Sequence, residues 1–385
     1  MNFTLLAEQQ MLQDSVRRFV TKACGFEARA AQIKQGQHAC ARNWAAFADN
    51  GWLAAALPEA YGGLGGSVLD NVLIGFELGR GLVIDPFAGQ AVLAAQTLAA
   101  SATDAQKETL LPHLADGTLR IALAYSEPEA RGNPAVVRTR ATPQAGGYAL
   151  RGHKTLVLGA PGAQRLLVSA CVDGVGNAPG SIALFLVDPG SARLTQRALP
   201  LHDGSWAADI TLDGVQVGAD ARIGYGGDSL PALRQGLAHA IAVQCAELVG
   251  AMEAAIDITS DYLKVRKQFG VPIGSFQALQ HRMADMAAEM ELARSMLFAL
   301  LAAFEARDAG DAAALQLSAS AAKAFVCRAA KKVCGEAIQL HGGIGMTEEC
   351  VIGHYFKRAI VADLVFGSSD QHETVCADAL QRVLI

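Results

Sequence analysis

Through the first third of the chain, apolar positions return every three or four places. Leu5, Leu6, Met11, Leu12, Val16, Phe19 and Val20 form one such stripe, the spacing of a helix with a single buried face. Trp44, Phe47, Trp52 and Leu53 mark a second buried face. Pro58 and the Gly62-Gly63-Leu64-Gly65-Gly66 run break the pattern, and glycine's tolerance of unusual backbone angles predicts a sharply turning loop there. Helical spacing resumes over 68–82 and 88–100, and a shorter stripe of Leu110, Leu111 and Leu114 stops at Asp116-Gly117.

The texture changes near Arg120. Short runs rich in branched or aromatic residues, at 121–125, 148–150, 155–158, 165–171, 181–187 and 209–217, predict strands. Gly146-Gly147, Pro161-Gly162, the 174–180 segment and Asp213-Gly214 punctuate them. Many short strands without helical crossovers predict an antiparallel barrel or sandwich rather than a parallel sheet. From Leu230 the helical period returns. Leu233, Leu237, Ile241, Cys245, Leu248, Met252 and Ile256 can share one buried stripe, and 276–304, 312–340 and 360–384 supply three more helices, with a turn at 307–311. Four helices packed as a bundle account for this region. The sequence thus predicts a multidomain α+β chain: a helical N-terminal domain (1–120), a middle antiparallel β-domain (121–225) and a C-terminal four-helix bundle (226–385).

Composition narrows the function. Lys and Arg number 32 against 37 Asp and Glu, a formal net charge of -5, which argues against a nonspecific nucleic-acid binder. The richest apolar stretch, 240–258, is interrupted by Gln244, Glu247, Glu253 and Asp257, so no membrane insertion is expected. With no basic flank and apolar run at the N-terminus, a soluble cytoplasmic location is the expectation. Eight cysteines include no CxxC pair and predict buried apolar thiols rather than a metal or disulfide framework. Neither G-x-G-x-x-G nor G-x-x-x-x-G-K-S/T is present, so a large nucleotide cofactor would need another route.

Five motifs suggest that route. Arg266-Lys267-Gln268-Phe269-Gly270-Val271-Pro272-Ile273-Gly274-Ser275-Phe276-Gln277 closely resembles the R-x-x-F-G-x-x-I/L-x-x-F-Q signature of acyl-CoA dehydrogenases. Gln339-Leu340-His341-Gly342-Gly343-Ile344-Gly345 resembles that family's Q-x-x-G-G-x-G turn. Tyr125-Ser126-Glu127-Pro128, Pro58-Glu59-Ala60-Tyr61-Gly62-Gly63 and Tyr148-Ala149-Leu150-Arg151-Gly152-His153-Lys154 resemble its T-E-P, P-E-x-Y/F-G-G and Y-x-L-N-G-x-K segments, all in family order. The resemblance implies the helical–β–helical fold already read from periodicity. It further implies FAD held between the middle and C-terminal domains, with its adenosine end reaching a neighbouring subunit. On that resemblance Arg266, Gln268, Phe269 and Gln277 contact the adenine-pyrophosphate portion of FAD. Arg266 would offer planar charged donors and Phe269 a ring face. Gln339, Gly342 and Gly343 would bring backbone to the cofactor, and Ser126 would stand near the flavin.

The resemblance also has gaps. Family members remove the substrate α-proton with a glutamate and pass the β-hydride to flavin. At the usual position of that glutamate this chain has Phe366 or Gly367, and at the alternative position Ala240, with His239 adjacent but about 100 degrees around the helix. Leu156 and Leu158 stand where the family commonly has an aromatic and a hydroxyl residue at the flavin surface. Glu127, Glu247, Glu348 and Glu349 fall on neither base position and are expected to be solvated, so no catalytic residue and no metal ligand is assigned.

The 347–358 segment resembles the small-subunit branch of pimeloyl-CoA dehydrogenase. The resemblance therefore implies a subunit of a heteromeric acyl-CoA dehydrogenase acting on a dicarboxylic or steroid-derived acyl-CoA. Its partners would be a paralogous subunit and an electron-transfer flavoprotein, and self-association as a dimer or tetramer is a further expectation. Two alternatives stay open: a base-less structural subunit that completes a partner's FAD site, and an acyl-CoA oxidase.

Overall fold

Val16 and Val20 are the buried side chains of the first helix, α1 (Ala7–Ala23), whereas Leu6 and Met11 of the expected stripe are 65% and 70% exposed, so only the C-terminal half of that stripe packs. The computed structural model describes residues 5–173, 182–308 and 311–384; the 174–180 segment, Ser181 and the Gly310 turn lie outside them. α2 (Phe26–Lys34), α3 (Ala41–Asp49) and α4 (Val68–Arg80) follow. In α3, Trp44 and Phe47 are buried, and Phe47 packs tilted against Trp52 and edge-on against Phe87 at ring-centroid distances of 5.4 and 6.4 Å. The stretch expected as one regular helix over 88–100 instead opens with a π-helix, Phe87–Ala94, behind Pro86, and becomes α5 (Ala95–Ser101). α6 (Asp104–Ala115) starts at a capping box in which Thr103 Oγ1 accepts from the Gln106 amide and the Gln106 side chain accepts from the Thr103 amide.

Eight strands build the middle sheet: β1 (Ile121–Ala124), β2 (Arg140–Gln144), β3 (Gly147–Leu158), β4 (Arg165–Val172), β5 (Ile182–Val187), β6 (Leu194–Pro200), β7 (Trp206–Gly218) and β8 (Arg222–Ile223). Their order is β6-β7-β3-β2-β4-β5-β8, with β1 added on β4. Pairing is antiparallel except for β1–β4 and β2–β4, and no α-helix connects the strands among the described residues. The two runs expected at 148–150 and 155–158 are one long strand, bent where its register with β7 shifts between Lys154 and Val157. One face carries the core: Ala122, Leu150, Val157, Leu166, Phe185, Ile210 and Val215 are each at most 2% exposed. Each fully buried Leu, Val, Ile or Phe side chain contributes about 1.5–3 kcal/mol.

The C-terminal helices are α7 (Leu230–Val265), α8 (Gln277–Asp308), α9 (Ala312–His341), α10 (Val351–Leu364) and α11 (Ser369–Leu384). The helix expected over 360–384 is therefore two, divided where Phe366 and Gly367 take positive φ of 64° and 96°. By packing, the chain forms two compact units. One comprises Met1–Gln35, Val72–Val83 and Ile241–Ile385; the other comprises Gly36–Asn71 and Ile84–Ala240. In the first unit α9 packs on α8, α10 and α11. There α4 also approaches α7 so closely that a Cβ at Gly79 would stand 2.0 Å from the Glu247 carbonyl oxygen, and only glycine fits.

Candidate functional site

In the helical unit the Arg266 motif forms a projecting turn at the end of α7. The Arg266 amide donates to the Tyr262 carbonyl at 2.9 Å, and the Ile273 amide closes the loop onto the Arg266 carbonyl at 2.8 Å. Between them β9 (Lys267–Gln268) pairs antiparallel with β10 (Val271–Pro272). Phe269 and Gly270 bridge the strands with φ of 54° and 84°, as a two-residue hairpin needs. That left-handed phenylalanine is 91% exposed, with Phe276 edge-on at 6.2 Å. Arg266, Gln268 and Gln277 are exposed too. Gln268 Nε2 donates only to the adjacent Lys267 carbonyl, and no partner holds the Arg266 guanidinium among the described residues.

The second motif lies beside the first. Tyr262 stacks on His341, ring centroids 4.4 Å apart, and its hydroxyl donates to the His341 carbonyl at 3.4 Å. α9 stops at Gly342, whose φ of 66° and ψ of -145° suit glycine almost alone. Gln339, Gly342 and Gly343 are exposed, and a Cβ at either glycine would meet nothing within 4 Å. Gly345, by contrast, is buried, and a Cβ there would press on the Ile338 carbonyl at 2.9 Å. Ile344 and Met346 stand out at 54% and 76% exposure. An exposed aromatic in a strained backbone, an arginine with no partner and glycines with open space above them fit a flat anionic cofactor such as FAD.

In the sheet unit Ser126 is half-buried, and its carbonyl accepts from the Thr155 amide at 2.9 Å. Leu156, the family's aromatic position, takes φ of 54°. Glu127 departs from expectation. It is 2% exposed rather than solvated, because the exit of β1 turns its carboxylate inward onto Lys154 Nζ at 2.7 Å. Burial works to raise its pKa, but the Lys154 charge and hydrogen bonds from Lys154, Thr139 and the Arg138 amide outweigh it and hold the carboxyl below the usual range. Burial also pulls Lys154 down to about 8 against the opposing pull of Glu127. Sequence patterning missed this pair, although both residues stand in quoted motifs.

Glu247 is likewise not solvated: α7 directs it inward, where it is 13% exposed and 3.5 Å from Arg358 Nη1. Glu348 and Glu349 are exposed as expected, Glu348 pairing with Lys357 at 2.5 Å. The positions expected for a base, 240 and 366 or 367, carry no ionisable side chain. Ala240 is fully buried, and Phe366 is 7% exposed with its carbonyl 2.9 Å from His372 Nε2. His372 Nδ1 lies 3.0 Å from Ser320 Oγ, so both ring nitrogens are engaged. A side chain at Gly367 would strain its backbone and place a Cβ 2.9 Å from the same imidazole. His239, beside Ala240, is 8% exposed. Of the eight cysteines, five are buried and three half-buried, all as free thiols. Among the described residues no helix is long and apolar enough to cross a membrane.

The N-terminal domain of acyl-CoA dehydrogenases matches residues 7–118, and the C-terminal domain of acyl-CoA dehydrogenases matches residues 230–381. The chain belongs to the acyl-CoA dehydrogenase family. It is 31% identical to a probable acyl-CoA dehydrogenase, YngJ, of Bacillus subtilis (strain 168), over 99% of this chain and 100% of that one. Among solved structures it is similar to a variant of the Tcur3481-Tcur3483 steroid ACAD, with a TM-score of 0.86 and 29% identity over 98% of each chain. It is also similar to the ChsE4-ChsE5 complex from Mycobacterium tuberculosis, with a TM-score of 0.88 and 26% identity over 99% of this chain and 99% of that chain. Acyl-CoA dehydrogenases are FAD-dependent oxidoreductases, and the helical, β-sheet, helical order found here is the acyl-CoA dehydrogenase fold.

Proposed function

We propose that this chain is a subunit of a heteromeric acyl-CoA dehydrogenase in which it completes the FAD site and a paralogous partner brings the base. The observation that carries the reading is a mismatch within one chain. The Arg266–Gln277 and Gln339–Gly345 motifs are retained and largely exposed, while the positions expected for the base hold Phe366 or Gly367 and Ala240. Arg266 would bind the pyrophosphate through charge-assisted bonds, with Gln268 and Gln277 as further polar contacts. Phe269 would cover the adenine, and Gln339, Gly342 and Gly343 would bring peptide groups close. Ser126 would sit beside the ring system. Bound FAD would supply the hydride acceptor for forming the α,β double bond, with electrons leaving to an electron-transfer flavoprotein. The likeness to a steroid acyl-CoA dehydrogenase supports a bulky, steroid-derived acyl-CoA as substrate, with a dicarboxylic acyl group as the competing choice.

Coexpression with the acyl-CoA dehydrogenase-like product of a neighbouring gene tests this assignment. The expected result is a yellow, stoichiometric complex that an acyl-CoA reduces, with little reduction by either chain alone. A colourless chain that forms no complex would overturn it.

A further inference from the structure

Beyond the FAD reading, and resting on it, lies a pair of charges that the sheet did not need for packing. Lys154 and Glu127 are 0% and 1% exposed at their side chains. Every donor and acceptor of the pair is used. Lys154 Nζ donates to Glu127 Oε1 at 2.7 Å, Ser169 Oγ at 2.9 Å and the Tyr125 carbonyl at 3.3 Å. Glu127 accepts in addition from the Arg138 amide at 2.6 Å, the Thr139 amide at 3.0 Å and Thr139 Oγ1 at 2.7 Å. Removing two charges from water is so costly that an apolar pair of similar volume often serves a core equally well. What the charges provide is placement. They tie together the exit of β1, the approach to β2, the middle of β4 and β3 at its bend.

Both ends of the pair adjoin positions already assigned to the cofactor. Glu127 follows Ser126. Immediately after Lys154, β3 leaves register with β7, the Thr155 amide donates to the Ser126 carbonyl, and Leu156 adopts a left-handed conformation that leucine rarely takes. On the other side Asp209 Oδ1 accepts from Thr155 Oγ1 at 2.8 Å, and Arg197 Nη2 fixes Asp209 Oδ2 at 2.6 Å. Such a strained bulge persists only where its surroundings over-determine it.

We propose that Lys154 and Glu127 are positioning residues: their buried ion pair sets the Ser126 backbone and the Thr155–Leu156 bulge at the spacing that receives the flavin. Neither touches the cofactor. They act through the segments that do.

The test is the neutral double variant Glu127→Gln/Lys154→Met, prepared in whichever form of the protein retains FAD, alone or with its partner. Circular dichroism and thermal unfolding establish that it folds. FAD affinity by fluorescence titration and the shape of the flavin visible band then report on placement. The expected outcome is a folded protein with FAD binding weakened about tenfold and a shifted flavin band. A control, Arg140→Gln/Asp173→Asn, removes an exposed ion pair of the same sheet and should leave both readouts unchanged. If the double variant fails to fold, Thr139→Val, which leaves both charges in place and removes one hydrogen bond to Glu127, is read in the same way. A folded variant with wild-type affinity and spectrum overturns the positioning role while leaving the FAD reading intact. A wild-type protein that retains no FAD, alone or in complex, overturns both.

Discussion

Two regions of this molecule treat charge in opposite ways. The charged groups of Glu127 and Lys154 are buried and matched within the chain. At the Arg266–Gln277 turn a guanidinium, two amides and a phenylalanine stand in solvent with almost nothing of their own chain to hold them. The chain's own contacts satisfy the charges of the first region and hardly touch those of the second. An aromatic that is 91% exposed in a left-handed conformation stabilises no core, which suits the cofactor contact proposed for it. Closed regions carry position, and open ones carry recognition.

The harshest way to break this comparison is to open the closed region. Lys154→Met alone leaves the Glu127 carboxylate buried without its counter-charge and should cost about 3–5 kcal/mol in denaturant unfolding. A variant as stable as wild type would show that the pair is not closed to water. The open region should behave in reverse. Arg266→Ala should leave unfolding unchanged within about 0.5 kcal/mol, yet weaken FAD binding by about 2–5 kcal/mol in a flavin titration, because it removes a charge-assisted contact. Lost stability with unchanged flavin affinity would reverse the assignment.

A third prediction extends the comparison to the surroundings of Phe366 and Gly367. Burial pulls His372 down to about 4; the Phe366 carbonyl opposes that, the Lys323 charge adds to it, and Asp363 opposes it. Its unfolded pKa is near 6.5, so between pH 6.5 and about 4 only the unfolded chain takes up this proton. Stability from this group is therefore full above 6.5, falls as pH drops toward 4 and is level below. The total loss is about 3 kcal/mol. The difference between wild type and His372→Phe across that window isolates it, and a flat difference would mean that the imidazole is not closed in.

Much of this was legible in the sequence, and the exceptions share a cause. Periodicity located the buried face of α3, the stripe of α7 and the second half of the α1 stripe, because spacing along one element is a local property. The motif matches located the Arg266 and Gln339 turns, and the structure stacks Tyr262 on His341 to set them side by side. Glu127 and Glu247 were misjudged as solvated because burial depends on partners 27 and 111 residues away. The π-helix at Phe87–Ala94 and the break at Phe366–Gly367 went unseen for a related reason. Apolar spacing there is compatible with a plain helix, and only the packed chain departs from it.

The central claim is that this chain carries cofactor-binding groups without a base of its own. General base catalysis typically contributes about 100- to 10,000-fold, so its absence should stop turnover without stopping FAD binding. Anaerobic bleaching of flavin by a panel of acyl-CoAs, followed with this chain alone, the partner alone and the two mixed, tests that claim most directly. The account predicts bleaching in the mixture and almost none with this chain's own flavin. Rapid, stoichiometric bleaching by this chain alone would contradict it.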